Sequence, residues 1–396
     1  MAEGLQIDDL RWDRDIDAVA QIEMEAFAES RQDAVGWLER SRPHAVWRVA
    51  RAGDEVVGSY VLFPAGQFFG GRSVPAAGVA GVAVAPHWRR RGVAGELMRD
   101  LVATAAARGA ALAPLLAATT RLYRRWGWEI GDRAVRQRVR TAALTPLRGD
   151  GRAAPLQDNV AIEALRRSVL HHWDGPMDRP DWWLDVEWPL GAEHHTHHTY
   201  GWYEDGALTG VVRYAQEPSS AWSRIIVEEL TAATGNALRG LLGFLGGHEP
   251  QAPEITFAHS SLRQRSELLF LLADADKLIT TEGHLCWMQR IVDVPIAIEA
   301  RGWAQRVDAR LQVAVRDPVN REDELFTIQV RDGRATVSRG GEGLVRCGVG
   351  ALSSWYSGTL RAYDAVRLGL LDASSDDVAI MDALVGDREA WFSDFF

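Results

Sequence analysis

Residues 82–98 read Val-Ala-Val-Ala-Pro-His-Trp-Arg-Arg-Arg-Gly-Val-Ala-Gly-Glu-Leu-Met. β-Branched residues give way to a proline that removes a ladder donor, and then to a glycine followed by helical periodicity. This order predicts a strand, a tight turn and a helix. The first amides of a helix have no partner within it, and the helix dipole adds positive potential there. Such a bend is a ready anion site. Gly92 and Ala94 lack bulk, so a phosphate can approach the main chain, and Arg89, Arg90 and Arg91 add charge around it. The phosphate loop GxxxxGK[ST] is absent and the dinucleotide pattern GxGxxG is not matched here.

That bend stands out because the whole chain is acidic, with 54 acidic and 44 basic side chains and a net charge of −10. The charge argues against nucleic acid as the main partner and suits a cationic substrate. At 396 residues the chain is long enough for two or three domains. Its two cysteines, Cys286 and Cys347, form no CxxC and read as reduced thiols of a cytoplasmic protein. The acidic N-terminus has no apolar core of a signal peptide. No run of about 18 apolar residues is present, so no membrane partner is expected.

Residues 1–145 alternate helical and strand patterns. "DIDAVAQIEMEAF" has helical spacing, "AVWRVARAGDEVVGSYVLFPAG" reads as two strands turning at Ala52-Gly53-Asp54, and "ALAPLLAAT" reads as a short strand. The stretch 144–158, rich in proline, glycine and charge, reads as a linker. Residues 159–290 repeat the order more loosely, with a hairpin at Glu204-Asp205-Gly206. Residues 291–396 carry strands, with a turn at Asp332-Gly333, and then helices, which suggests a compact α+β unit.

Arg89-x-x-Gly92-x-Ala94 after Val82-Ala83-Val84 resembles the acetyl-coenzyme A signature of the GNAT acetyltransferase superfamily. The resemblance implies that Val82, Ala83 and Val84 pair with the pantetheine arm. It also implies that Arg89, Arg90, Arg91, Gly92, Val93, Ala94 and Gly95 hold the pyrophosphate, and that Thr119 joins this set. More broadly, "VAVAPHWRRRG", "LYRRWGW", "HLCWMQRIVDVPIAIEARGW", "ALSSWYSG" and the aromatic end "WFSDFF" resemble the enhanced intracellular survival (Eis) proteins. That family implies an α+β chain with two tandem GNAT-like regions, each a mixed sheet flanked by helices, and a sterol-carrier-like C-terminal domain. The expected domains are 1–145, 146–290 and 291–396. "TAATGNALRG" in the second region lacks the arginines, so the first region alone is expected to bind coenzyme. The implied activity is acetylation of amines, including aminoglycosides or polyamine-like molecules, in a homohexamer built as a dimer of trimers. A lysine, peptide or natural-product acetyltransferase remains an alternative, as does a non-catalytic lipid- or small-molecule-binding protein.

Amine acetylation needs a proton acceptor for the amine and a proton donor for the departing thiolate. The resemblance implies Tyr123 as the donor, a phenol with an ordinary pKa of about 10. It implies the C-terminal carboxylate of Phe396 as the acceptor, set among Trp391, Phe392 and Phe395. Glu25, Phe27, Glu29 and Trp37 are candidate acceptor-binding residues, with Asp394 and Phe395 near the C-terminus. Gly81 stands where relatives carry an aromatic, and Phe395 replaces their penultimate acid, which weighs against aminoglycosides. "EHHTHHTY" (193–200) reads as a polar loop rather than a metal site, because structural zinc sites usually combine two spaced ligand pairs. The tryptophans 173, 182, 183 and 188 read as packing residues. No metal is expected.

Overall fold

The computed structural model describes residues 4–187, 196–219, 222–263, 267–319 and 323–396. The chain divides into two compact units. One comprises Met1–Gly131, Trp287–Ala390 and Phe396, and the other Asp132–Cys286 with Trp391–Phe395. The first and last parts of the sequence therefore build one unit together.

In the first unit, β1 (Leu5–Asp9), β2 (Val46–Ala52), β3 (Glu55–Phe69) and β4 (Arg72–Val84) form an antiparallel sheet in that order. Helices α1 (Trp12–Phe27) and α2 (Arg31–Ser41) precede β2, and α3 (Val93–Ala107) follows β4. Ser30 caps α2 by accepting from Asp33 N. Successive residues of a strand face opposite sides of the sheet. Accordingly Ser59 bonds Glu23 of α1, while Tyr60 bonds Asp100 of α3, so the two helices cover opposite faces. Short β5 (Leu115–Ala117) and α4 (Thr120–Arg124) complete this part.

In the second unit, β6 (Glu129–Arg140), β7 (Arg152–Pro155), α5 (Asn159–Leu170), β8 (Met177–Asp178) and α6 (Trp183–Glu187) come first. Then follow β9 (Thr196–Glu204), β10 (Ala207–Ser219), β11 (Trp222–Ala232), α7 (Gly235–Gly246), β12 (Glu254–Phe257), α8 (Leu268–Leu271), α9 (Ala275–Leu278) and β13 (Ile279–Gln289). Its strands run β13-β6-β12-β11-β10-β9-β7, with β11 and β12 parallel to each other. The β9–β10 turn has Asp205 at φ 49° and Gly206 at φ 84°, as a two-residue hairpin requires. The stretch expected to be a linker contributes β7, an edge strand on β9. Strands β6 and β13 carried no clear alternation in the sequence and emerge only from pairing.

The last part adds α10 (Val294–Ala300), β14 (Ala309–Arg316), β15 (Asp323–Arg331), β16 (Arg334–Arg339), β17 (Val345–Gly348), α11 (Val349–Tyr356), α12 (Ala362–Arg367), β18 (Leu371–Asp372) and α13 (Ser375–Val385). Leu311, Val313 and Val315 of β14 and Phe326, Ile328 and Val330 of β15 alternate into its core. No helix among the described residues is long and apolar enough to cross a membrane.

Candidate active site

The arginine bend is built as a short 3-10 turn over Pro86–Trp88, an irregular stretch to Gly92, and α3. Arg90 and Gly92 both have positive φ, 64° and 87°. Gly92 lies in open space, so here it is the backbone conformation, not crowding, that favours glycine. No side chain caps α3. Gly95 and Glu96 donate to Gly92 O. Among the described residues, the amides of Arg90, Arg91, Gly92, Val93 and Ala94 donate to no acceptor. These amides and three exposed arginines thus follow one another along a single bend, a fit for a diphosphate. Arg91 stacks on Trp88, its guanidinium 4.9 Å from the ring centroid, and Arg89 Nε reaches Val84 O at 3.4 Å.

Strand β4 opens a groove leading away from this bend. Its near half pairs with the segment before β5, through Ala77 N to Leu112 O and Val79 N to Pro114 O, each 2.9 Å. Beyond Val79 no hydrogen bond among the described residues joins Gly81–Val84 to Leu115–Ala117. The strands part there, and the β4 edge at Val82, Ala83 and Val84 is free to pair with an extended ligand arm. A bulge marks the point of divergence. Ser59 pairs with Ala83 and Val61 with Ala80, so Tyr60 alone opposes both Gly81 and Val82. Gly81 takes φ 55° in this bulge.

Sequence reasoning missed the group beside Gly81. A side chain at Gly81 would come within 3.3 Å of Glu23 Oε1 and 3.5 Å of the Trp47 ring. Glu23 is 1% exposed, and Ser59 Oγ donates to its Oε1 at 3.1 Å. Burial pushes its carboxyl up to about 8. The clue lay in the α1 periodicity, where Glu23 shares the buried stripe of Val19, Ala20 and Ile22.

Tyr123 lies on α4, 8% exposed and edge-on to Trp128 at 6.2 Å. Burial pushes its phenol up to about 12. Its hydroxyl has no hydrogen-bond partner among the described residues. Thr119, the residue before α4, is exposed and caps it with no side-chain bond. The turn after α4 meets the arginine bend, since a side chain at Gly95 would lie 3.3 Å from Trp126.

The expected acceptor residues are dispersed. Trp37 stands edge-on to Trp47 at 5.1 Å and 5.9 Å from Phe63, and Phe63 lies 6.4 Å from the ring of Phe396. The Phe396 ring also fills the space a side chain at Gly78 would need, 2.9 Å away. Phe27 is 45% exposed at the end of α1, near the exposed Glu29. Desolvation and the Asp33 carboxylate raise the pKa of Glu29. Glu25 is not with them. It lines a surface groove with Arg14, Asp15, Glu55 and His87.

In the second unit, Asp394 differs from the expectation of a substrate-facing acid. It is 1% exposed, and both its oxygens are engaged. Arg166 and Arg179 donate to Oδ1 at 2.7 and 2.6 Å, and Met177 N donates to Oδ2 at 2.9 Å. No face of the carboxylate is left for an amine. Phe395 is 39% exposed and lies over His259 at 4.1 Å. At the start of α7, where an anion loop would sit, Thr234 caps the helix through Ala237 N, and Glu204 accepts from Thr234 Oγ1. A carboxylate stands where arginines would be needed. His194, His195 and Trp188 lie outside the described residues, while His197 sits 3.5 Å from Glu228. Trp182 stacks on Trp183, and Trp173 meets Trp391 edge-on.

Comparison with known proteins gives the class to which this bulged strand, opening and uncapped helix belong. Residues 7–131 match an acetyltransferase (GNAT) domain, 175–291 a second acetyltransferase (GNAT) domain, and 294–393 a sterol carrier protein domain. The chain is a tandem-GNAT acetyltransferase with a sterol carrier protein domain, and thus an acyltransferase of the N-acetyltransferase type. An uncharacterized N-acetyltransferase of Streptomyces griseus is 28% identical over 364 residues, 83% of each chain. A GCN5-related N-acetyltransferase from Anabaena variabilis shares the fold with a TM-score of 0.91 at 23% identity, covering 99% of this chain and 100% of that one. Eis1 from Mycobacterium abscessus shares it with a TM-score of 0.78 at 23% identity and the same coverage. The GNAT fold implies acetyl-coenzyme A as the acyl donor.

Proposed function

We propose that the chain acetylates an amine of a small molecule, of the aminoglycoside or polyamine-like kind, using acetyl-coenzyme A held by its first GNAT region. The observation that carries this reading is the set of unpartnered amides at the start of α3, beside the opening of β4. Arg89 to Gly95 grip the diphosphate, Val82 to Val84 pair with the pantetheine arm, and Thr119 borders it. Acetyl-coenzyme A, when bound, supplies an activated thioester.

Tyr123 delivers the proton to the sulfur. Burial holds its pKa above the ordinary phenol value, so the hydroxyl carries a proton to give at neutral pH. The carboxylate of Phe396 accepts the amine proton. Trp37, Phe27 and Glu29 border the acceptor, and Asp394 serves as a buried anchor of the second unit. By family resemblance we place the protein in the cytoplasm as a homohexamer, a dimer of trimers. The free state of Cys286 and Cys347 suits a reducing compartment. Native mass spectrometry tests the oligomer.

Calorimetric titration with acetyl-coenzyme A gives one site per chain. Gly92→Ala weakens it roughly tenfold, because a left-handed backbone costs a non-glycine residue about 1–2 kcal/mol that binding must re-impose. Unchanged affinity, or two sites per chain, overturns the assignment. Thiol release against an amine panel then identifies acceptors. Tyr123→Phe lowers kcat by about 10²-fold or more with KM within about threefold, the size of a lost general acid. A full kcat in that variant removes Tyr123 from the reaction.

A further inference from the structure

Glu23 is an anomaly for the interior of a protein. A carboxylate is seldom fully buried unless it is paired. Glu23 has one neutral donor, Ser59, and among the described residues no arginine, lysine or histidine pairs with it. Its other oxygen, Oε2, accepts no hydrogen bond from a described residue, yet it is not among the sealed atoms left without a partner. Among the described residues, the nearby charge that acts on it is another acid, Glu29.

Its position is as telling as its isolation. Oε1 lies against Gly81, the residue in the β4 bulge immediately before Val82. A residue with a side chain at 81 would take the space in front of the carboxyl. The same glycine touches Trp47, which meets Trp37, and through Phe63 this aromatic row reaches Phe396. An acid at the head of an aromatic wall is the arrangement that receives an ammonium group on an otherwise apolar body.

We propose that Glu23 is the residue that selects a cationic amine as acceptor, its carboxyl giving up its proton to solvent as the ammonium takes the proton's place. The proposal rests on the acetyltransferase reading and deepens it. The balance is one ammonium bound and one proton released, with no bond to carbon made or broken. The raised pKa of Glu23 agrees, since the acid stays protonated at neutral pH until a cation arrives. Glu23 thus acts in binding, ahead of proton removal by the base.

The test is calorimetry on the full chain saturated with coenzyme A, at pH 7, in buffers of different ionisation enthalpy. Cadaverine and tobramycin are the cationic probes. The wild type releases close to one proton per amine bound, and Glu23→Gln releases none while binding roughly 10- to 100-fold more weakly, the size of a lost charge-assisted hydrogen bond. Gln keeps the Ser59 contact, and acetyl-coenzyme A affinity within about twofold shows that the variant is folded. Binding without proton release, or equal affinity in Glu23→Gln, overturns the proposal. So does failure of both cations to bind. If thiol release with aniline, an amine uncharged at pH 7, then persists, the acetyltransferase reading stands while the role of Glu23 falls. If no amine is acetylated and acetyl-coenzyme A does not bind, both fall.

Discussion

Removing Phe396 lowers kcat by about 10²- to 10⁴-fold, the span of a lost general base, and leaves acetyl-coenzyme A affinity within about twofold. The ring of Phe396 is held in the first unit by Phe63 and by the notch that Gly78 leaves, so the last residue has a built seat. Three variants separate the ring from the carboxylate. Deletion removes both. Extension by two glycines keeps the ring and moves the carboxylate. Phe396→Ala keeps the carboxylate and loosens its seat. Steady-state thiol release is expected to fall furthest for the deletion and the extension, and less for alanine. Because the coenzyme contacts proposed above lie on β4 and α3, titration of acetyl-coenzyme A serves as the control. A tagged or extended chain with wild-type kcat removes the terminal carboxylate from the reaction.

Asp394→Ala destabilises the second unit by about 3–5 kcal/mol, the cost of breaking a buried ion pair by removing one partner. Arg166, Arg179 and Arg213 are buried here with Glu163, Glu229 and Asp394, three positive and three negative groups. Arg179 is held positive by Asp394, Glu229 and Glu163, against the cost of burial. Without Asp394, three guanidinium groups face two carboxylates in a dry interior, and Met177 N loses its acceptor. Scanning calorimetry is expected to show the transition lowered by roughly 10 °C, given about 2–4 °C per kcal/mol for a unit of this size. Asp394→Asn retains an acceptor for Met177 N and falls between. A shift below about 2 °C in Asp394→Ala shows that the cluster tolerates the loss and that Asp394 is no anchor.

Much of the fold was legible in short stretches. The β2–β3 and β9–β10 hairpins, α1, α3, α5 and α7 follow from periodicity and turn residues, because hairpins and single helices are decided by neighbours in the chain. Strands β6 and β13 were not legible, since their partners lie far away in sequence, and the hydrophobic pattern in "ITTEGHLCWMQ" has no clean alternation. The linker stretch concealed β7, because an edge strand needs only one partner and tolerates proline at its end.

The same division runs through the site. Sequence alone determined the strand, the arginine bend, the helix after it and the aromatic end, because each is a run of adjacent residues whose chemistry is local. Tertiary structure decided that Asp394 turns into a bed of arginines, that Glu25 faces a different groove, and that Glu23 ends beside a bulge in β4. Periodicity marks which face of a helix is buried but not what that face meets. What Glu23 meets, a glycine and a serine from two strands, is fixed only when α1 packs on the sheet.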